Sequence, residues 1–176
     1  MVLLENKVAV ITGAASGIGR QIALLYAEHG AHIVVADIQA EPREGGEPTH
    51  ELCEQREGRA RYAQCDVTKL SELVSAVDTV EELGGVDIMM NNAGIFRQRT
   101  FLETSEEDFE QMMAVNVKGV YFGAQAAAKR MVERGKGVII NLSSVAGLRG
   151  AGGFTTYCAS KGAVPLHLRL DLGTLG

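Results

Sequence analysis

The chain has no tryptophan, three prolines and three cysteines among 176 residues, and aromatics make up only 5% of it. Cys53, Cys65 and Cys158 are scattered, with no C-x-x-C pair. That excludes a disulfide framework and suits free thiols in a reducing compartment. The four histidines, His29, His32, His50 and His167, lack metal-ligand spacing, so no metal is expected. A cationic surplus is also missing: 17 Lys and Arg face 22 Asp and Glu, for a net charge of −5. This argues against nucleic acid or an anionic membrane surface as partner. No apolar run approaches the ~18–20 residues of a membrane helix. The first strand starts almost at once, so no signal peptide is expected and the cytoplasm is the expected location. A 46% hydrophobic content is enough for the core of one domain. Glycine is what the chain has in plenty, 21 residues against a usual share of ~7%.

The glycines matter most in the stretch from Lys7 to Gly19. Val8 to Ile11 is an unbroken apolar run of strand length, and Gly13, Gly17 and Gly19 follow at the spacing G-x-x-x-G-x-G. From Ile18 the pattern turns helical, with Ile18, Ile22, Leu25 and Tyr26 on one face. A buried strand, a tight turn and a helix start make an anion site. The first N–H groups of a helix have no partner within it, and the helix dipole adds partial positive charge.

Further on, strands and helices alternate. Ala31–Asp37 reads as a second strand, apolar on consecutive positions as in a parallel sheet covered on both faces. Residues 39–50, with Pro42, Pro48, Gly45 and Gly46, read as a polar loop, followed by a short helix near Glu51–Glu57. A third strand is expected over Arg59–Asp66, then a helix with Leu70, Leu73, Val74, Val77, Val80 and Leu83 at helical spacing. Val86–Met90 forms a fourth strand. A long helix runs from Ser105, whose S-x-x-D/E pattern with Asp108 is a capping box, to about Arg134. Val138–Leu142 is a fifth strand, a glycine-rich loop spans Gly147–Gly153, and the last element begins near Thr156. This order predicts an α/β fold, a doubly wound parallel sheet of about five strands with helices on both faces.

In such sheets ligands lie at the carboxyl ends of the strands. Four polar residues fall there: Asp37, Asp66, Asn91 and Ser144. Asp37 lies 24 residues after Gly13, near the ~20 expected of an acid that binds an adenosine ribose. Its charge opposes a 2′-phosphate, and no Arg or Lys stands at Ala15 or Ile38, which favours NAD over NADP. Asn116 is a poor mid-helix residue and, if buried, needs a partner; a neighbouring loop could supply one. Tyr157 and Lys161 lie four apart and share a helical face. A phenol near its ordinary pKa of ~10 is a poor acid or base at neutral pH, and a neighbouring ammonium favours its phenolate. Such a pair can pass a proton near pH 7. Ser144 can donate to a substrate oxygen gaining charge.

Taken together, these motifs resemble the short-chain dehydrogenase/reductase family over residues 5 to about 163. Thr12-Gly13-x-x-x-Gly17-x-Gly19 resembles its cofactor turn, Asp66-Val67 its adenine-contacting pair, Asn91-Asn92-Ala93-Gly94 its fourth-strand motif, and Asn116, Ser144, Tyr157 and Lys161 its catalytic four. Ser144 lies 13 before Tyr157, as the family's spacing requires; Ser143 is the alternative. The resemblance implies that Gly13, Ser16, Gly17, Ile18, Gly19, Asp37, Asp66, Val67, Asn92, Ala93, Gly94, Tyr157 and Lys161 hold NAD. It implies Tyr157 as general acid/base, Ser144 as holder of the substrate oxygen, Lys161 as binder of the nicotinamide ribose, and Asn116 as support for a proton-relaying water. The reaction would be hydride transfer between a secondary alcohol or its ketone and the nicotinamide. A homo-oligomer through the long helix and the Tyr–Lys helix is a further expectation.

The chain departs from this pattern late. Family members usually continue with two more strands and a substrate-shaping helix, so a chain ending at Gly176 reads as truncated. Residues 1–163 are expected to form the NAD-binding domain and 164–176 a divergent tail. Pro165 opposes a continuing helix, and Leu166, Leu168, Leu170 and Leu172 alternate at period two. That segment is read as a strand pairing with the fifth, a helix kinked at Pro165, or a disordered end. The competing functions are an inactive form that binds NAD weakly or assembles with a full-length relative, and an epimerase or dehydratase. The last group resembles G-x-x-G-x-x-G rather than the spacing found here.

Overall fold

The computed structural model describes residues 2–56 and 59–166. Five parallel strands form one sheet: β1 (Val8–Thr12), β2 (His32–Asp37), β3 (Ala60–Gln64), β4 (Ile88–Asn91) and β5 (Val138–Asn141), in the order β3-β2-β1-β4-β5. The chain steps outward from β1 through β2 to β3, then crosses back to lay β4 on the other side of β1. Ala9 stands opposite Ile33 on one side and Ile88 on the other. This reversal between β1 and β4 is the place where open α/β sheets bind ligands.

The apolar runs become strands because both faces of the sheet are covered. Successive strand residues point to opposite faces. Val8, Val10, Val34 and Met89 join Leu73, Val77 and Met131 in one core. Ala9, Ile11, Ile33 and Val35 join Ala23, Ala27 and Cys53 in the other. Leu73 and Val77 come from helix α3 (Leu70–Asp78), Ala23 and Ala27 from α1 (Gly17–Glu28), and Cys53 from α2 (Thr49–Glu54).

Helix α1 departs from the reading of its apolar side chains. Its buried stripe is Gly19, Arg20, Ala23 and Ala27, whereas Ile18 and Leu25 are 63% and 51% exposed. Small residues face the sheet because the helix lies close to it; a Cβ on Gly19 would collide with the Gly13 carbonyl and the Asn92 amide.

The expected long helix is present with an interruption. Helix α4 (Glu106–Met113) starts at Ser105, whose hydroxyl accepts from the Asp108 N–H at 3.1 Å. A π-helical turn occupies Ala114–Lys118, and α5 (Gly119–Arg134) completes the run. Met131, near its end, packs into the sheet.

At the pole opposite the carboxyl rim, Asp87 joins three segments. It accepts from the Val8 N–H at 3.0 Å and from Arg134 at 3.0 Å, with Lys136 at 3.5 Å. Burial pushes the Asp87 carboxyl up, and the Val8 N–H and Arg134 outweigh that and hold it below its ordinary value.

Helix α6 (Thr155–Leu166) contains Pro165. Proline cannot donate to the carbonyl four residues back, which is that of Lys161. That carbonyl accepts instead from the Ser143 hydroxyl at 2.9 Å. The stretch after Leu166, expected to Leu172 as a strand, a kinked helix or a disordered end, lies outside the described residues. Among those described, β5 is a sheet edge with Val138 and Ile140 exposed, and no helix is long and apolar enough to cross a membrane.

Candidate functional site

The β1–α1 turn is built from both sides of the reversal point. Thr12 ends β1 buried, with a hydroxyl that needs partners, and it receives the Asn92 and Ala93 N–H groups, each at 3.1 Å. The Asn92 side-chain amide donates back to the carbonyls of Thr12 and Gly13 at 2.9 and 3.1 Å. The loop after β4 thus fixes the glycine turn in place. Gly17 sits at φ +56° with open space where a Cβ would be, and a side chain there would be strained.

Around this turn lies a cleft of about 830 Å³ along the carboxyl rim. Asp66 and Val67, after β3, and Asp37, at the end of β2, line one end; Gly13, Ser16, Gly17 and Ile18 lie at the centre, beside Asn92, Ala93 and Gly94 at the reversal point. Tyr157 and Lys161 close the other end, beside Ile95 and Phe96. Of the residues expected to hold cofactor, only Gly19 stands back from the lining, where it provides the close approach of helix to turn.

Two carboxylates of the rim already organise backbone. Asp37 accepts from Ala15 N–H at 3.0 Å and Ile38 N–H at 2.8 Å. Asp66 accepts from both the N–H and the hydroxyl of Thr68, at 3.0 and 2.7 Å. Partial burial pushes the Asp66 carboxyl up, and the Thr68 and Lys69 contacts outweigh this and keep it below the usual range. Asn91 does not belong to the cleft. It is buried, donates to the Asn141 side chain at 2.7 Å, and packs against Gly123 of α5.

Lys161 is 4% exposed, with Nζ donating to the Leu142 carbonyl at 2.8 Å; burial pushes its ammonium down. The Tyr157 ring meets Phe96 edge-on, centroids 5.0 Å apart at 87°, and Phe96 in turn packs on Phe154 at 5.1 Å. The adjacent serines differ. Ser143 donates its proton to the Lys161 carbonyl. Ser144 accepts from Ala146 N–H at 3.2 Å, which leaves its own O–H free to donate elsewhere. Ser144 is not part of the cleft lining.

Asn116 is fully buried in the π-helical turn. Its Oδ1 accepts from Ile95 N–H at 2.8 Å, and its Nδ2 donates to the Ile95 carbonyl at 2.9 Å and to Ser160 at 3.0 Å. The side chain ties the β4 loop, the long helix and α6 together, so the neighbouring-loop reading of this residue describes what its side chain does.

Thr12 opens the glycine motif read from the sequence, but its role in holding the β4 loop was not legible there. Phe96, Arg43 and Glu44 were not singled out; their place depends on where loops fold, which no local pattern carries. Among the described residues, no group of three His, Cys, Asp or Glu could hold a metal ion.

The short chain dehydrogenase family model matches residues 7–169, and the chain belongs to this family. It is 44% identical to an uncharacterised oxidoreductase of Thermotoga maritima over 91% of this chain and 62% of that one. It is 42% identical to the L-2,3-butanediol dehydrogenase of Corynebacterium glutamicum, over 90% and 62%. Among solved structures it resembles an NAD+-bound xylitol dehydrogenase, with TM-score 0.89 and 31% identity over 97% of this chain and 66% of that one. The chain therefore spans a little under two thirds of the length of the curated relatives it matches.

Proposed function

We propose that the chain is an NAD-dependent oxidoreductase that interconverts a secondary alcohol and its ketone. The observation that supports this best is the single cleft running from the α1 N-terminus to Tyr157 and Lys161. The residues present fit a dinucleotide: a glycine turn at a helix N-terminus for a pyrophosphate, a carboxylate at the end of β2 for ribose hydroxyls, and a buried ammonium at the far end. When bound, the nicotinamide supplies the hydride acceptor or donor.

The chain's own residues divide the remaining work. Gly17 and Ile18, with the Ser16 hydroxyl, bind the pyrophosphate. Asp37 takes the adenosine ribose and repels a 2′-phosphate, which selects NAD over NADP. Asp66 and Val67 flank the adenine, and Asn92, Ala93 and Gly94 line the path to the nicotinamide. Lys161 holds the second ribose. Tyr157 has a hydroxyl without a protein partner among the described residues, and it takes or gives the proton on the substrate oxygen. Ser144 donates its O–H to that oxygen. Asn116 positions Ile95 and Ser160 around Tyr157, and through its turn supports a relay water. The exposed Phe109 and Val132 on the long helix fit a self-association face, together with α6. A cytoplasmic protein with a small-molecule substrate is the setting in which this chemistry works.

NADH titration by fluorescence, followed by assay on a panel of secondary alcohols, tests the reading. Saturable NADH binding is expected, with turnover reduced at least 10²-fold by Tyr157→Phe while binding is kept. Binding with no turnover on any alcohol, indifferent to Tyr157→Phe, would eliminate catalysis and leave a cofactor-binding form.

A further inference from the structure

We propose that residues 41–48 form a self-inhibiting strap: the Glu44 carboxylate takes the place of a phosphate at the α1 N-terminus and must withdraw before a dinucleotide can seat. This rests on the cofactor reading above. It adds a residue that sets how tightly the cofactor is held.

The α1 N-terminus offers amides without helix partners, and Gly17 is the first of them. Here its N–H donates to Glu44 Oε1 at 3.0 Å. The neighbouring anchor is taken as well. Ser16 is the N-cap, yet its hydroxyl makes no cap hydrogen bond and instead accepts from the Arg43 N–H at 2.8 Å. Both contacts lie in the cleft lining, so the two groups placed best for a pyrophosphate are satisfied by the protein itself. The carboxylate behaves as a bound anion there: the Gly17 N–H holds the Glu44 carboxyl below the usual range.

The strap is fastened at both ends and loose between them. Pro42 is buried, and its carbonyl accepts from Gly45 N–H at 2.9 Å, closing a turn. At the other end the Thr49 hydroxyl donates to the Ala15 carbonyl at 3.0 Å and accepts from Arg20 at 2.9 Å, which pins α2 to the same glycine turn. Between these anchors Gly45 and Gly46 sit at φ +79° and +91° with nothing near their Cβ positions, so the backbone can pivot without collision. A carboxylate and a phosphate oxygen compete for one N–H, and two anions at that spot repel each other. Binding therefore includes the displacement of Glu44.

The test compares the full chain with Glu44→Ala and, as a charge control from the same loop, Glu41→Ala. Glu41 is exposed, and its backbone carbonyl accepts from the Gln39 side chain at 2.8 Å. Calorimetry with ADP, NADH and adenosine reads the competition. ADP and NADH are expected to bind three- to tenfold tighter to Glu44→Ala, adenosine equally to both, and Glu41→Ala within twofold of the parent. Hydrogen exchange gives a readout without ligand: the Gly17 amide is protected in the parent and exchanges at least threefold faster in Glu44→Ala. Equal ADP affinity in parent and Glu44→Ala, or the same tightening in Glu41→Ala, overturns the strap. No binding of ADP or NADH to any variant overturns the cofactor reading and the strap with it.

Discussion

Two adjacent serines with the same side chain do different work because of a proline more than twenty residues away. Pro165 leaves the Lys161 carbonyl without its helical donor, and Ser143 fills the gap. Ser143→Ala should therefore cost about 1–2 kcal/mol in urea denaturation, since it strands a carbonyl at the helix. In a Pro165→Ala background, where residue 165 regains an N–H, that cost should fall to a few tenths; equal costs in both backgrounds would remove the argument. The spacing to Tyr157 favours Ser144 over Ser143 as the substrate-facing serine; the hydrogen bonds show that Ser143 donates to the Lys161 carbonyl while Ser144 accepts from Ala146 N–H outside the cleft lining. Asn116 shows the reverse limit. Its oddity inside a helix was plain in the sequence, yet its partners, Ile95 and Ser160, come from loops and helices that only the fold brings near.

At the level of elements, all five strands were legible, four as apolar runs too short for a helix and β3, Ala-Arg-Tyr-Ala-Gln, from its place in the alternation of strands and helices. Boundaries shifted by a residue or two. Helix α1 is the instructive case. Of the face read as Ile18, Ile22, Leu25 and Tyr26, Ile22 and Tyr26 pack partly on the core and Ile18 and Leu25 are exposed, while the residues fully buried include the small ones at positions 19, 23 and 27. Distance to the sheet decides this, and side-chain hydrophobicity alone does not reveal it. Ala23→Leu should consequently overpack the β1–β2 face and cost about 1–3 kcal/mol, whereas Leu25→Gln should stay within about 0.5 kcal/mol; thermal melts of both separate the two faces. The π-helical turn at Ala114–Lys118 had no signal beyond Asn116 itself. The strap over the cleft had none either: prolines and glycines marked residues 39–50 as a loop, but not where the loop rests.

For the molecule as a whole, the two poles of the sheet have opposite tasks. The carboxyl rim holds the cleft, and the other pole is locked by Asp87, Val8 and Arg134. The Asp87 carboxyl lies below its ordinary 3.8 in the folded chain, so its contribution is present above that pH and is lost as pH falls through the folded value. Asp87→Asn should cost about 2 kcal/mol near neutral pH. In urea titrations across pH, the difference between Asp87→Asn and the parent should shrink as pH falls below 3.8. A pH-independent difference would mean that the clamp works by shape alone.

The pairing of β1 with β4 has one more consequence. Ala9 and Ile88 stand side by side although 79 positions apart in the chain, whereas the other neighbour of Ala9, Ile33, is only 24 positions away. While the polypeptide is being synthesised, β1, β2 and β3 are available once Gln64 has emerged, but one flank of β1 stays bare until Asn91 follows, 91 − 64 = 27 residues later. At ~5–20 residues per second that interval is about 1–5 s. For those seconds the nascent chain offers one side of Val8–Thr12 as an unpaired strand edge, open to pairing with another chain.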